Sequence, residues 1–383
     1  MNFSNALIQQ LIAFRKDLHK NPELSNREYN TVKRISDFIL TGSPDKIIHH
    51  IGYTGLAVTF SGEEKGPVIL IRADIDALPI TEKNDFEYKS VNYKVAHLCG
   101  HDGHTAILAG LARVLDLHPL KKGKVILLFQ PAEETGEGAQ KILNDPKFIE
   151  LTPDYVFALH NLPGFDKNHI VVRNQHFTAA SKGIIVKLFG KTSHAAHPEH
   201  GLSPALAVAE IIKKLSGLSQ QKEHFKDFKL ITIVHSRLGE MAFGITPGYA
   251  EIMATLRSYR NDDMDYLTSQ TVEIIEKITD NYGLDEKIEW LEEFPATINN
   301  DHCVDMICEV AEENNLQTQQ IKEPLRWSED FGYFTKKFPG ALFGVGAGTD
   351  HPGLHHADYD FSDDIIPAGV RMFDGIIRKI TNK

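Results

Sequence analysis

The chain reads as an α/β protein in which a mainly parallel sheet flanked by helices is interrupted by a smaller α+β insert. Three observations predict this. Apolar runs alternate with helical stretches up to about residue 175, strands of alternating polarity follow from Ser181, and the first texture returns after Glu292. At 383 residues the chain exceeds one typical domain. The expected division is residues 1–180 for the first part of the larger domain, 181–293 for the insert and 294–383 for the second part.

Taken in order, Val68-Ile69-Leu70-Ile71 predicts a buried strand leading to Asp74 and Asp76, and residues 103–117 predict an amphipathic helix. The run Val125-Ile126-Leu127-Leu128-Phe129 predicts a second strand, ending at Gln130-Pro131-Ala132-Glu133-Glu134, and Tyr155-Val156-Phe157-Ala158-Leu159 a third, ending in His160. In the insert, strands at 183–189, 230–234 and 249–257 and helices at 203–218 and 262–282 give strand, helix, strand, strand, helix, strand, a ferredoxin-like order. Beyond it come a helix over 301–314, a strand over 341–345 and a terminal helix over 363–380. Gly344-Val345-Gly346-Ala347-Gly348 predicts a backbone-lined loop, but it lacks dinucleotide spacing and no P-loop lysine follows, so no nucleotide is inferred.

Composition excludes several functions. A formal charge of -11 with no Lys/Arg-rich run offers no face for nucleic acid. No apolar stretch approaches the roughly 18 to 20 residues of a membrane span, and Met1-Asn2-Phe3-Ser4-Asn5 lacks the layout of a secretory signal, so a cytoplasmic protein is expected. Three cysteines form no disulfide framework, and Cys303 and Cys308 are expected to be buried structural thiols in a helix.

The segment His97-Leu98-Cys99-Gly100-His101-Asp102-Gly103-His104 concentrates a thiol, imidazoles and a carboxylate. Thiolate with imidazole favours zinc-like ions over magnesium or calcium. Adjacent Glu133 and Glu134 are costly to bury together unless a cation neutralises them. One carboxylate can then hold a metal while its neighbour takes a proton from water. Singly, a cysteine is more often a small buried hydrophobe and a histidine after a strand a hydrogen-bonded surface residue. Here three such clusters follow three apolar runs, where open parallel sheets gather their chemistry.

These segments, with Arg15-Lys16-Asp17-Leu18-His19, Pro22-Glu23-Leu24, Arg72-Ala73-Asp74-Ile75-Asp76-Ala77-Leu78-Pro79, Ser193-His194-Ala195-Ala196-His197-Pro198, Ser328-Glu329-Asp330-Phe331 and Leu354-His355-His356, occur in an order that covers nearly the whole chain. In that order they resemble the metal-dependent amidohydrolases of the aminoacylase, hippurate hydrolase and auxin-conjugate hydrolase type, relatives of carboxypeptidase G and succinyl-diaminopimelate desuccinylase. The resemblance implies Cys99, His101, Glu134, His160 and His355 as metal ligands and Glu133 as general base. It also implies that the insert is a lid and homodimer interface on an interrupted catalytic domain, with His194 reaching an active site, commonly the partner's, to stabilise an oxyanion.

Five protein donors exceed the three of a usual mononuclear catalytic zinc, which implies two divalent ions, zinc, manganese, nickel or cobalt, with Cys99 as a bridge. In the peptidase relatives a carboxylate bridges the ions and a histidine stands where this chain has Arg72, so ligand duty moves to His101. Asp74 and Asp76 are then expected to hold imidazoles in one tautomer. Arg257 is a candidate to bind a substrate carboxylate, and His197 and His200 read as solvated loop residues. The expected reaction is hydrolysis of an N-acyl amino acid, with a dipeptidase, exopeptidase or N-acetyl-diaminopimelate deacetylase as alternatives. A thiol hydrolase using Cys99 and His101 leaves Glu134, His160 and His355 without a role, and a catalytically inactive binding dimer leaves the base without one.

Overall fold

The computed structural model describes residues 4–220, 225 and 227–382. The chain forms two compact units, Met1–Phe177 with Thr297–Glu323 and Asp330–Lys383, and Thr178–Ala296 with Pro324–Glu329.

The first unit is built on an eight-stranded sheet in the order Lys46–Ile51, Gly55–Ser61, Lys122–Gln130, Glu64–Asp74, Tyr155–Pro163, Gly340–Gly348, Ile170–Val172, Thr318–Gln320. The four central strands, from Lys122–Gln130 to Gly340–Gly348, are mutually parallel, as are the last two, while antiparallel pairings join the rest. Central strands buried on both faces need continuous apolar runs, and the sequence supplies them: Val125 through Phe129 and Ile69 through Ile71 are fully buried. Helices Asn5–Lys20, His101–Leu117, Asp301–Glu313 and Ile366–Thr381 pack over this sheet around Leu11, Leu18, Ile107, Leu111, Ile307 and Phe373.

Two expectations change here. The helix over 103–117 begins at His101 and, apart from Arg113, Asp116 and Leu117, is buried throughout. Small residues allow this: a Cβ on Gly110 would lie 2.8 Å from Leu11 Cδ1 and 2.9 Å from Val370 Cγ2, so helices close over it from two sides. The glycine run 344–348 is no loop but the end of the Gly340–Gly348 strand. There a Cβ on Gly346 would stand 2.0 Å from the carbonyl oxygen of Asp166, and only a glycine admits that approach.

The second unit is an antiparallel four-stranded sheet in the order Lys229–Leu238, Tyr249–Ser258, Ala180–Phe189, Asp285–Phe294, carrying helices Ala205–Leu218 and Asn261–Tyr282. This is the ferredoxin-like order expected from the sequence. Its separate core joins Ile184, Val186, Ile211, Leu215, Ile252, Leu256 and Ile275. Residues 324–329 join this unit through bonds that a run of composition does not reveal, such as Ala179 N donating to Leu325 O at 3.0 Å. Among the described residues no helix is long and apolar enough to cross a membrane.

Candidate metal centre

Parallel strands end on one edge, and three of them deliver polar groups there. Asp74 is the last residue of its strand, beside Gln130, the last of the next; His160 lies within Tyr155–Pro163. Cys99 and His101 flank Gly100 at the start of the His101–Leu117 helix. Gly100 has φ +95°, and a Cβ on it would lie 2.3 Å from Asn161 Oδ1, so the loop closes onto the strand only with glycine at that position.

The donors converge within the first unit. Cys99 Sγ lies 3.5 Å from His160 Nε2, and His355 Nε2 lies 3.7 Å from Glu134 Oε2. His101 Nε2 faces Glu134 Oε1 and Asp74 Oδ2 at 3.8 Å and Glu133 Oε2 at 3.9 Å. Ligand atoms of Cys99, His101 and His160, and of Cys99, Glu134 and His355, each fall within 4.8 Å of one another. Donors around an ion with bonds of about 2.0–2.3 Å stand roughly 3.3–3.8 Å apart in a tetrahedron. The spacing fits ligands around a cation.

Hydrogen bonding fixes which ring atoms face inward. His101 Nδ1 donates to the Asp76 carbonyl at 3.0 Å and His160 Nδ1 to the Asn161 carbonyl at 2.8 Å. In the neutral rings each Nε2 therefore carries a lone pair aimed into the cluster. His101 Nε2 and Glu134 Oε1 are buried and have no hydrogen-bond partner among the described residues, a cost that a cation would remove.

Electrostatics agree. Burial opposes the charged form of His101, but Asp74, a hydrogen bond that the ring donates to Asp76, and Glu134 outweigh it and push the imidazole up to about 10. Burial raises the Glu134 carboxyl, His101 pulls against it, and Asp76 and Asp74 add to it, leaving it pushed up to about 8. A divalent ion would displace the proton that this acidic cluster retains. Burial and then His101 push His355 down to about 4, which leaves it neutral at physiological pH.

Behind the donors, Asp74 Oδ1 holds His104 Nδ1 at 2.6 Å and its Oδ2 accepts from Arg72 Nη1 at 2.6 Å. His104 Nε2 lies 2.7 Å from Asn161 Oδ1. Asp76 Oδ2 accepts from Glu134 N at 3.0 Å. The fully buried Arg72 also donates to Gln130 Oε1 and Asp330 Oδ1, both at 2.8 Å. His104 and Asp330 stand in segments that carry the resemblance but have no role assigned from the sequence, and Asn161 is not named there. For His104 a signal existed, since i, i+3 spacing puts it on the same helical face as His101.

In the second unit, His194 occupies the two-residue strand Ser193–His194, paired with Ile245–Thr246. The side chain is exposed and its Nδ1 accepts from Ala196 N at 3.0 Å. His197 and His200 are exposed, as expected. Arg257 is half-buried and Nη1 donates to Arg326 O and Ser328 Oγ, both at 3.0 Å.

Comparison with known proteins bears on this arrangement. Residues 70–379 match the model of peptidase family M20/M25/M40. The chain is 30% identical over 375 residues to an N-acetyl-L-cysteine deacetylase of Bacillus subtilis (strain 168), covering 98% of this chain and 89% of the relative. It is 28% identical to an N-acetyldiaminopimelate deacetylase of the same strain, covering 98% and 100%. A solved Bacillus subtilis structure, described as a dinuclear metal binding peptidase from the M20 family, superimposes with a TM-score of 0.83 at 27% identity and 99% coverage of each chain.

Proposed function

Since the chain belongs to peptidase family M20/M25/M40, we propose that this metal-dependent hydrolase of carbon–nitrogen bonds removes an acyl group from an N-acyl amino acid. The observation that carries the reading is the convergence of Cys99, His101, Glu134, His160 and His355 beside Glu133. Two relatives whose names state deacetylation of amino acids support the substrate class.

In this reading those five residues would hold two divalent ions, zinc, manganese, nickel or cobalt. Ions held there would supply Lewis acidity toward an amide carbonyl and a nearby water. Glu133 is the base. Its carboxylate is almost fully buried, with Oε1 3.4 Å from Asp330 N and Oε2 facing His101. It takes the proton of the attacking water and returns it to the departing amine. Asp76 keeps the His101 ring in register through its main-chain carbonyl, and Asp74 holds the neighbouring His104. His194 is assigned to the developing oxyanion and Arg257 to the substrate carboxylate.

The same proposal makes the protein a homodimer through residues 181–293. Lys229–Leu238 is an edge strand with Leu230, Val234 and Leu238 exposed, and Met241 and Phe243 beyond it are fully exposed. An edge of that kind invites pairing with another copy. If His194 acts across the dimer, mixing inactive Glu133→Gln and His194→Ala proteins should restore part of the activity, once native mass spectrometry shows that subunits exchange. Verified mixed dimers without turnover would remove His194 from the partner's site.

The substrate reading is tested by amine release from acetyl-, benzoyl-, succinyl- and indoleacetyl-amino acids and from dipeptides, with each metal added back. Turnover confined to dipeptides would replace it with a peptidase. Cobalt-loaded protein should also show a sulfur-to-cobalt charge-transfer band that Cys99→Ser abolishes, because a thiol ligates as thiolate. A band that survives in a variant lacking Cys99, Cys303 and Cys308 would exclude thiolate ligation.

A further inference from the structure

The segment that carries Glu133 has an uncommon backbone. Ala132 adopts φ +53°, the left-handed region that costs a non-glycine residue about 1 kcal/mol or more. Something must hold it there. Ala132 N donates at 2.9 Å to Oε1 of Glu28, a carboxylate from a segment 104 residues away in sequence. On the other side of Glu133, the Glu134 N–H is held by Asp76 at 3.0 Å. The base thus sits between two backbone amides, each fixed by a buried carboxylate.

Glu28 precedes the Tyr29–Ile39 helix, so an ordinary reading gives it a capping role. The contacts differ. The first-turn amide of Thr31 is satisfied by Glu23 at 2.7 Å, and Glu28 makes no side-chain cap bond. Glu28 instead turns inward, fully buried, where Oε1 also accepts from Asn26 N at 2.9 Å and Oε2 from Thr54 Oγ1 at 2.6 Å. An apolar side chain would fill that space without the desolvation cost of a carboxylate. An apolar chain would leave Ala132 N, Asn26 N and Thr54 Oγ1 without this acceptor, and of the three only Ala132 adjoins the base.

We propose that Glu28 is a positioning residue for the reaction: by fixing the Ala132 amide it sets the direction of the Glu133 carboxylate. The inference rests on Glu133 being the base. A displacement of about 1 Å can cost on the order of 10²-fold in rate. Glutamine keeps the accepting oxygen, so Glu28→Gln should turn over the best panel substrate within about threefold of wild type. Glu28→Leu should lose at least ~30-fold in kcat, with KM and metal content per folded protein unchanged. Should Glu28→Leu fail to fold, Glu28→Asp, which withdraws the oxygen by one methylene, should lower kcat at least ~10-fold with KM unchanged.

A second readout needs no turnover. Hydrogen exchange across residues 130–136 should accelerate in the leucine and aspartate variants but not in Glu28→Gln. Wild-type kcat in folded Glu28→Leu or Glu28→Asp overturns the proposal. So does a loss that follows metal content or KM, or glutamine damaging as much as leucine. Faster exchange with unchanged kcat also overturns it, by showing a strap that does not position the base. Glu133→Gln, measured alongside, separates this failure from failure of the base assignment: an active Glu133→Gln protein sinks the assignment whatever Glu28 does.

Discussion

Glu133→Gln should lower turnover by at least ~10²- to 10⁴-fold, the range for a lost general base, while leaving metal content nearly intact. The glutamine amide keeps the shape of the side chain and an oxygen near Asp330 N, so the loop has no reason to move. It cannot take a proton from water. Glu134→Gln should behave in the opposite way: its carboxylate meets His101 through one oxygen and His355 through the other, and its loss should weaken metal binding first. Metal analysis beside kcat decides between them. A metal-free Glu133 variant together with a fully loaded Glu134 variant would show that the two roles are reversed.

A comparable loss, in stability rather than rate, is expected from Arg72→Met. Arg72, Asp74 and Asp330 are all buried, and the guanidinium bridges both carboxylates while reaching Gln130. Removing one partner of a buried ion pair costs about 3–5 kcal/mol, because the remaining charge keeps its desolvation penalty. At about 2–4 °C per kcal/mol, the thermal midpoint should fall by on the order of ten degrees. Arg72→Lys should recover only part, since a single ammonium cannot reproduce a planar fork with three acceptors. A midpoint within a degree of wild type in calorimetry of Arg72→Met would show that the clamp carries no net stability.

The contrast between these residues explains what was legible in the sequence. Glu133, Glu134 and His160 directly follow apolar runs, which become central strands whose ends meet, and Cys99 and His101 stand together in one short segment dense in ligand types. The donor types and their placement were therefore readable together. Arg72, Glu28 and Asp330 were different. Their partners lie far away in sequence, as with Arg72 and Asp330 at a separation of 258, and such contacts leave no periodic trace. Glu28 in Arg27-Glu28-Tyr29-Asn30-Thr31 looks like any acidic residue before a helix, and only its inward rotamer distinguishes it. Likewise the burial of the His101–Leu117 helix depends on two other helices, one from each end of the chain, which its own pattern cannot announce.

The central claim is metal-dependent hydrolysis of an acyl amino acid, and amine release from N-acetyl-L-cysteine and N-acetyldiaminopimelate tests it most directly. One preparation would be assayed as purified, after dialysis against a chelator, and after return of zinc, manganese, cobalt or nickel. The account predicts release that disappears with the metal and returns with at least one of those ions. Full release from metal-free protein, abolished by alkylation of Cys99, would contradict it and make the chain a thiol hydrolase.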